Sequence, residues 1–187
     1  MEFRLHYRGR LPSNGSPKIK QEIRRVFHDQ LSLLWEQKPL SFIKKSCLTP
    51  ETRPDHADQT HLRPFGDFVF APLVCEKEHW TASLDILLLK PEPPGKIITQ
   101  CGDIDNRMKT LLDSLRKPNR IDELPKNDKP KGNENPFFCL LEDDNLLTGL
   151  SITTDRLLEK TYSNSEVELI IKVTTSAFRT RHIGIIL

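Results

Sequence analysis

The sequence predicts an α/β (α+β) fold, namely a single-domain sandwich in which a mixed β-sheet carries two main helices on one side. An alternating N-terminal segment indicates a strand. Two segments with apolar residues at helical spacing indicate amphipathic helices, and short apolar runs between turn residues indicate further strands. The 187 residues, 36% hydrophobic and 29% charged, are enough to bury a sizeable core. We therefore expect one domain over residues 1–187.

The N-terminal part is predicted to form a strand followed by a helix. Residues 3–7 alternate as a strand does, and residues 11–15 are rich in turn formers. The helix is expected to begin near Ser16 and Pro17, because serine caps helix N-termini and proline fits the first turn. Its predicted apolar face consists of Ile19, Ile23, Val26, Phe27, Leu31, Leu34 and Trp35.

Two segments are expected to be loop excursions, at about 38–66 and 116–135, because they are polar and lack periodicity. The histidines and aspartates of 55–61 are interpreted as part of a polar loop rather than a metal site. Residues 178–187 are expected to form an added edge strand or a dimer arm. Further strands are predicted at 68–70, 82–89, 146–152 and 167–173, the first two adjacent to each other.

Asp85 interrupts the apolar run 82–89. We interpret it as an edge position or a side chain facing outward from a strand, rather than as part of a site. The proline-rich residues 91–95 then lead the chain to the second predicted helix.

That second helix carries the most informative residues of the chain. Asp105, Lys109 and Asp113 recur every four residues along one face. Asp103, at its start, faces the positive end of the helix dipole. Capping explains Asp103 but not a second carboxylate two residues later. The neighbouring apolar stripe consists of Ile104, Met108, Leu111, Leu112 and Leu115.

A second acidic cluster, residues 142–145, lies between two apolar runs. Three consecutive acids repel one another unless a cation neutralises them. Mg²⁺ prefers oxygen ligands of this kind, whereas the His and Cys spacing of zinc sites is absent. A calcium loop fails because Arg107 and Met108 occupy a ligand position and the required glycine position. The carboxylates that could hold Mg²⁺ near a phosphate are Asp103, Asp105 and Asp144.

The string G-D-x-D-N-x-x-K-x-x-x-D-x-L at 102–115, followed by the pair Asp143 and Asp144, resembles the RusA family of Holliday junction resolvases. The resemblance covers roughly residues 81–173, with a weaker likeness in the N-terminal strand and helix. It implies a RusA-like fold. It also implies that Mg²⁺, or alternatively Mn²⁺, is bound by Asp103, Asp105 and Asp144.

The resemblance further implies a catalytic role for Lys109 and supporting roles for Asn106, Asp113 and Asp143. The implied activity is that of a crossover junction endodeoxyribonuclease, which makes paired symmetric nicks in four-way junctions during DNA recombination and repair. A homodimer is implied as well, since a two-fold substrate is matched by a two-fold protein.

Two departures from the family pattern stand out. Residues 116–135 are inserted between the helix and the acidic pair. We expect them to form a surface insertion, because doubling the length of a flexible loop costs only about 0.6 kcal/mol of closure free energy. The pair is followed by Asn145 and Leu146 instead of a polar residue and glutamine. This second departure concerns the substrate contact rather than the metal ligands.

The net charge of +2 does not by itself indicate a nucleic-acid-binding protein, but cationic side chains gather near the acidic helix. We expect them to neutralise DNA phosphates without reading sequence. These candidate DNA-binding residues are Arg107, Arg116, Lys117, Arg120, Lys126, Lys129 and Lys131.

The remaining expectations concern location and competing functions. No apolar segment approaches the roughly 20 residues that span a membrane, and no signal peptide is visible, so we expect a cytoplasmic protein that does not enter membranes. A Mg²⁺-dependent nucleotide phosphohydrolase is disfavoured by the basic loop and the lack of a glycine-rich phosphate cradle. A non-catalytic DNA-binding module remains an alternative function.

Free buried thiols, rather than disulfides, are expected for Cys47, Cys75, Cys101 and Cys139.

Overall fold

The computed structural model describes residues 1–50, 60–91, 104–159 and 166–177, which form seven strands and three α-helices. The helices are α1 (Pro17–Trp35), α2 (Leu40–Cys47) and α3 (Ile104–Leu115). The strands are β1 (Glu2–Arg10), β2 (Arg63–Phe65), β3 (Phe68–Val74), β4 (Trp80–Lys90), β5 (Phe137–Leu141), β6 (Leu147–Arg156) and β7 (Glu166–Ala177).

These strands form two mixed sheets, whereas the sequence predicted one. The four-stranded sheet has the order β1-β7-β4-β6, with β4 and β6 parallel and the other neighbours antiparallel. The three-stranded sheet has the order β2-β3-β5, with β3 and β5 parallel. The mixed α/β class is confirmed. The predicted adjacency of 68–70 and 82–89 is wrong, because β3 and β4 belong to different sheets.

The chain leaves the smaller sheet through a tight turn after β3. A 3₁₀ helix at Glu76–Glu78 is followed by His79, whose φ of 56° lies in the left-handed region. In β4 buried and more exposed residues alternate, while β3 is almost wholly buried. Asp85 points outward from β4, as expected, but β4 is an interior strand of its sheet.

The expected excursion at 38–66 contains α2 and β2, so this expectation was wrong in part. Both elements are short, and α2 has no side-chain cap, so neither offers a clear sequence signal. Within it His61 is buried, with Nδ1 2.9 Å from the Pro72 carbonyl oxygen, and is therefore a core residue. The other residues of the 55–61 cluster, except Thr60, lie outside the described residues, as do 178–187 and most of 91–95.

Helix α1 begins as predicted. Ser16 is the N-cap and accepts a hydrogen bond from the Ile19 N–H, and Pro17 occupies the first turn. Its buried apolar residues include Ile23, Phe27, Leu31 and Trp35. Val26, which was expected on this face, is instead exposed.

Helices α1 and α3 pack closely because the chain before α1 has no side chain at Gly15. The Gly15 N–H donates to Thr110 Oγ1 at 3.0 Å, and a Cβ at Gly15 would lie 2.4 Å from Thr110 Cγ2. The predicted stripe residues Met108, Leu111 and Leu115 are buried in the core. This packing fixes which face of α3 meets solvent.

Among the described residues, no helix is both long and apolar enough to cross a membrane. Cys47, Cys75 and Cys139 are free and buried, as predicted. Burial raises the pKa of Cys47 to about 11 and those of Cys75 and Cys139 to about 12. These three thiols are therefore neutral and unreactive at ordinary pH. Cys101 lies outside the described residues.

Residues 116–135 contain one short 3₁₀ helix, Ile121–Glu123, and are tied to α1 by Arg25. Arg25 donates from Nε to Glu134 at 2.7 Å and from Nη2 to both carboxylate oxygens of Asp128 at 3.0 Å. The Lys131 N–H also donates to Glu134, at 2.9 Å. The insertion is thus a surface segment held in one place by ion pairs.

The Glu134 contacts predict a pH dependence of stability. Burial raises the pKa of Glu134, but the bonds from Arg25 and Lys131 outweigh burial, so the net pKa lies below the ordinary 4.5. The folded state therefore gains stability above pH 4.5 and loses it as the pH falls through the lowered pKa. We expect Glu134→Gln to lower the free energy of unfolding at pH 7 by about 1–3 kcal/mol.

Urea unfolding at pH 7 and at pH 3 would measure this effect. The difference between Glu134→Gln and wild type should shrink as the pH falls from 4.5 through the lowered pKa of Glu134, since the wild-type carboxylate then becomes protonated in both states. The exposed Glu22→Gln on α1 is the control and should change little at either pH. A difference that is constant with pH would contradict the ion-pair explanation.

Candidate metal and nucleic-acid site

The start of α3 presents three motif residues to solvent. Asp105, Asn106 and Lys109 are exposed, whereas Arg107 and Met108 between them are buried. Arg107 donates from Nη1 to the Leu11 carbonyl oxygen at 3.1 Å and so fixes the rotation of the helix. Of the face predicted from helical spacing, Asp105 and Lys109 therefore point outward, whereas Asp113 is largely buried. Asp103, the first acid of the motif, lies outside the described residues.

The second acidic cluster follows β5, whose five residues are all buried. Glu142, directly after the strand, is held by Arg63 Nε at 2.5 Å and by the Glu76 N–H at 3.1 Å. Burial raises the pKa of Glu142, but Arg63 outweighs burial, so the net pKa is lowered. Glu142 therefore anchors the chain as a charged carboxylate and is not one of the predicted ligands.

Asp143 uses both carboxylate oxygens within the protein. Oδ1 accepts from the Asn145 N–H at 3.0 Å and caps the 3₁₀ helix Asp144–Leu146, while Oδ2 accepts from Asn119 Nδ2 at 2.8 Å. Burial raises the pKa of Asp143, but these bonds outweigh burial and lower it. Asp143 therefore stays ionised and supports the turn that carries Asp144.

Asp144 is exposed and lies against the charge of Asp143. Its pKa is raised, first by burial and then by its hydrogen bond to Asp143 and the repulsion of that carboxylate. Two carboxylates at such close range favour sharing a proton or binding a cation. Asp144 thus has the donor chemistry of a Mg²⁺ ligand.

The described contacts join the acidic pair to the C-terminal end of α3. The Lys117 N–H donates to the Leu141 carbonyl oxygen at 3.0 Å, and Asn119 bonds Asp143. Asp105 lies in the first turn, about 16 Å along the helix axis from Arg116. The described residues contain no group of three His, Cys, Asp or Glu side chains that could hold a metal ion. The predicted trio includes Asp103, which lies outside them.

Asp113, a predicted supporting residue, is an anchor between helices. It pairs with Lys20 Nζ at 2.7 Å and with Arg116 Nη2 at 2.9 Å. Burial raises the pKa of Asp113, but the two cations outweigh burial and lower it. The contacts of Asp113 hold α1 and α3 together.

The structure divides the predicted DNA-binding residues into two groups. Arg107 and Arg116 are buried and bonded within the protein, which disfavours the predicted phosphate contacts of these two side chains. Lys117 is half-buried and donates to Asn119 Oδ1. The exposed cations of the set are Arg120, Lys126, Lys129 and Lys131.

The supporting contacts of Arg63 and Asn119 were missed from the sequence. Arg63 lies in the segment expected to be an excursion, far along the chain from Glu142, and no spacing pattern links such residues. Asn119 follows α3 in a polar stretch that looks like any surface loop. Both positions can be found only once the strands are placed.

Comparisons of the chain with protein-family models, with curated proteins and with solved structures found no match.

The Asn119 contact predicts a positioning effect on Asp144. Asn119→Ala removes the amide that holds Asp143. For the Mg²⁺ site expected from the sequence, which includes Asp144, this loss should lower Mg²⁺ affinity about 10- to 100-fold, as for other partners that orient metal ligands. Titration calorimetry with Mg²⁺ would measure it. Asn133→Ala, an exposed asparagine of the same segment, is the control. Equal affinity in Asn119→Ala and wild type would show that Asn119 has no positioning role.

Proposed function

We propose that this protein is a Mg²⁺-dependent, structure-specific endodeoxyribonuclease that resolves four-way DNA junctions by paired symmetric nicks in recombination and repair. The observation that carries the proposal is the outward presentation of Asp105, Asn106 and Lys109 on a helix whose rotation is fixed by buried Arg107. The exposed positions make these groups accessible to a metal ion and to a phosphate. The G-D-x-D-N-x-x-K motif, which resembles the RusA family, supports the same function.

In this proposal Asp103, Asp105 and Asp144 hold Mg²⁺, with Mn²⁺ as the alternative ion. The bound ion would polarise the scissile phosphate and lower the pKa of a water. Lys109, one turn after Asp105, offsets charge that develops on the phosphoryl oxygens. Asp143 keeps the Asp144 turn in place.

The exposed cations of residues 116–135 supply the sequence-independent part of DNA binding. Because Arg25 holds this segment by ion pairs, Lys126, Lys129 and Lys131 are carried on an anchored surface. The proposal also includes a homodimer, since two nicks related by symmetry require two sites. The proposal further includes the cytoplasmic location that the sequence predicts.

Cleavage of a labelled synthetic four-way junction, beside a linear duplex of matched sequence, tests the function. Each substrate is incubated with Mg²⁺, with Mn²⁺ and with EDTA. Paired nicks that appear only in the junction and only with metal are the expected result. Cleavage of both substrates, or of neither, would contradict a junction resolvase.

A non-catalytic DNA-binding module is the second candidate. It is favoured by the contacts that tie Leu141 and Asp143 to the residues just after α3, while Asp105 lies in the first turn of that helix. Gel-shift measurements on the same junction separate the two functions. Tight binding without cleavage at any metal concentration would establish the binding module.

A further inference from the structure

The two outer strands of the four-stranded sheet, β1 and β6, differ in how well their free edges are protected against pairing with another strand. In β1, Gln30 of α1 covers the edge: its Oε1 accepts from the His6 N–H at 2.8 Å, and its Nε2 donates to the His6 carbonyl oxygen at 2.6 Å. Charged side chains along β1 add protection against pairing. They are Glu2, Arg4, Arg8 and Arg10.

Strand β6 lacks the glutamine cover and the run of charged side chains found on β1, and its pairing with β4 is irregular only at Thr148, near its start. Its ten residues contain no proline and no lysine, and its two charged residues, Asp155 and Arg156, lie at its end. In the described part of the chain, β4 is the sheet neighbour of β6 on one side, and no strand lies on the other. A long outer strand of this composition is a template for pairing with another chain.

The core-facing side of β6 is also incompletely covered. Leu150 pairs in register with Leu84 of β4, so both side chains point to the same face of the sheet. Leu84 is 2% exposed, whereas Leu150 is 45% exposed. Ile152, two residues on, packs only partly against the core. The uncovered leucine and the open strand edge occur at the same place.

We propose that a second copy of this chain pairs with β6, antiparallel and edge to edge, across a two-fold axis at Ser151. In antiparallel pairs, opposite residues point to the same face of the sheet. The axis must therefore lie midway between the two copies of one residue, so that this residue faces itself across the axis. An axis at Ser151 places Leu150 against Ile152 of the partner subunit, and the symmetric contact repeats it. The result is a continuous sheet across two protomers, with each Leu150 covered.

The chemistry of β6 favours a copy of itself as the partner. With the axis at Ser151, the regular part of β6 pairs Leu150 with Ile152 of the partner subunit and Gly149 with Thr153 of the partner subunit. The register shift at Thr148 ends this regular pairing before Asp155 is reached. No like charges face each other, and the same patch serves both copies, as a closed two-fold contact requires. The inference names an interface for the homodimer in the proposed function, and its role in cleavage rests on that function.

Sedimentation velocity over a wide concentration range tests the interface. Wild type should form a dimer, and Leu150→Lys should raise the dimer dissociation constant at least about tenfold, because it replaces the apolar contact with a charge. Leu33→Lys, on α1 and 66% exposed, is the matched control and should dimerise as wild type does. A wild type that stays monomeric, or an unaffected Leu150→Lys dimer, would overturn the interface.

Oxidative crosslinking tests the axis itself. Ser151→Cys places two thiols opposite each other, within the 4.4–6.8 Å Cα separation of disulfides, and should crosslink the dimer. Thr153→Cys is displaced from the axis on both chains and should not. Equal crosslinking of both variants would overturn the register. Dimerisation that appears only after removal of 178–187 would show that this segment occupies the edge instead.

The same samples separate this inference from the proposed function. If wild type dimerises and Ser151→Cys crosslinks, but neither cleaves junctions, the proposed nuclease function is refuted and the β6 interface is supported. If wild type makes paired nicks and Leu150→Lys remains fully dimeric, the nuclease function is supported and the β6 interface is refuted.

Discussion

Replacing Asp105 with asparagine is expected to lower metal-dependent junction cleavage by more than about 100-fold and to leave the fold intact. The side chain is exposed at the start of α3, and asparagine has nearly the same shape. What is lost is the negative charge that a hard cation requires. Single-turnover cleavage rates, with circular dichroism as the check on folding, would measure the effect.

Asp67→Asn is the matched control, because Asp67 is exposed in the turn between β2 and β3. It should cleave at the wild-type rate. Junction affinity should be similar in both variants, since the exposed lysines are unchanged. An Asp105→Asn protein with normal cleavage would refute the metal role of this residue.

The largest expected loss of stability follows from Phe137→Ala. Phe137 is 0% exposed and lies between Phe68, Phe70 and His28, with ring centroids 4.7–5.7 Å away. Truncation of a buried phenylalanine costs about 3–5 kcal/mol, from lost transfer energy and the cavity that is left. Urea denaturation should show this decrease in the free energy of unfolding.

Phe42→Ala is the control, because Phe42 is 69% exposed on α2 and its truncation should cost under about 1 kcal/mol. Phe137 begins β5, the strand that leads directly to Glu142 and the acidic pair. Mg²⁺ affinity of Phe137→Ala should therefore fall even at temperatures where the variant remains folded. A decrease below about 1 kcal/mol would mean that the cluster of Phe68, Phe70 and Phe137 contributes little to folding.

Local signals predicted those elements whose pattern is complete within a short window. The cap at Ser16, the stripe of α3 and the alternation in β1 and β7 each specify one element, and each is present. The division into two sheets was not predictable, because it depends on which apolar strands meet across long stretches of chain. The short α2 and β2 fell below the length at which periodicity distinguishes an element from a loop.

The candidate site shows the same limit. Helical spacing correctly placed Asp105 and Lys109 on an exposed face, since three or four residues determine such a face. It could not distinguish Lys109 from Arg107, although only one of these cations points outward. Charge alone does not reveal burial, and Arg107 is buried because the Leu11 carbonyl lies within its reach.

Gln30 sets a limit to growth of the sheet. With both carbonyl and amide of its side chain engaged by His6, it occupies the backbone N–H and C=O that another strand would need at the middle of β1. A pair of protomers joined at β6 would expose only two such blocked ends. Assembly would then stop at two copies, and the same sequence that permits pairing on one side would prevent fibre formation on the other.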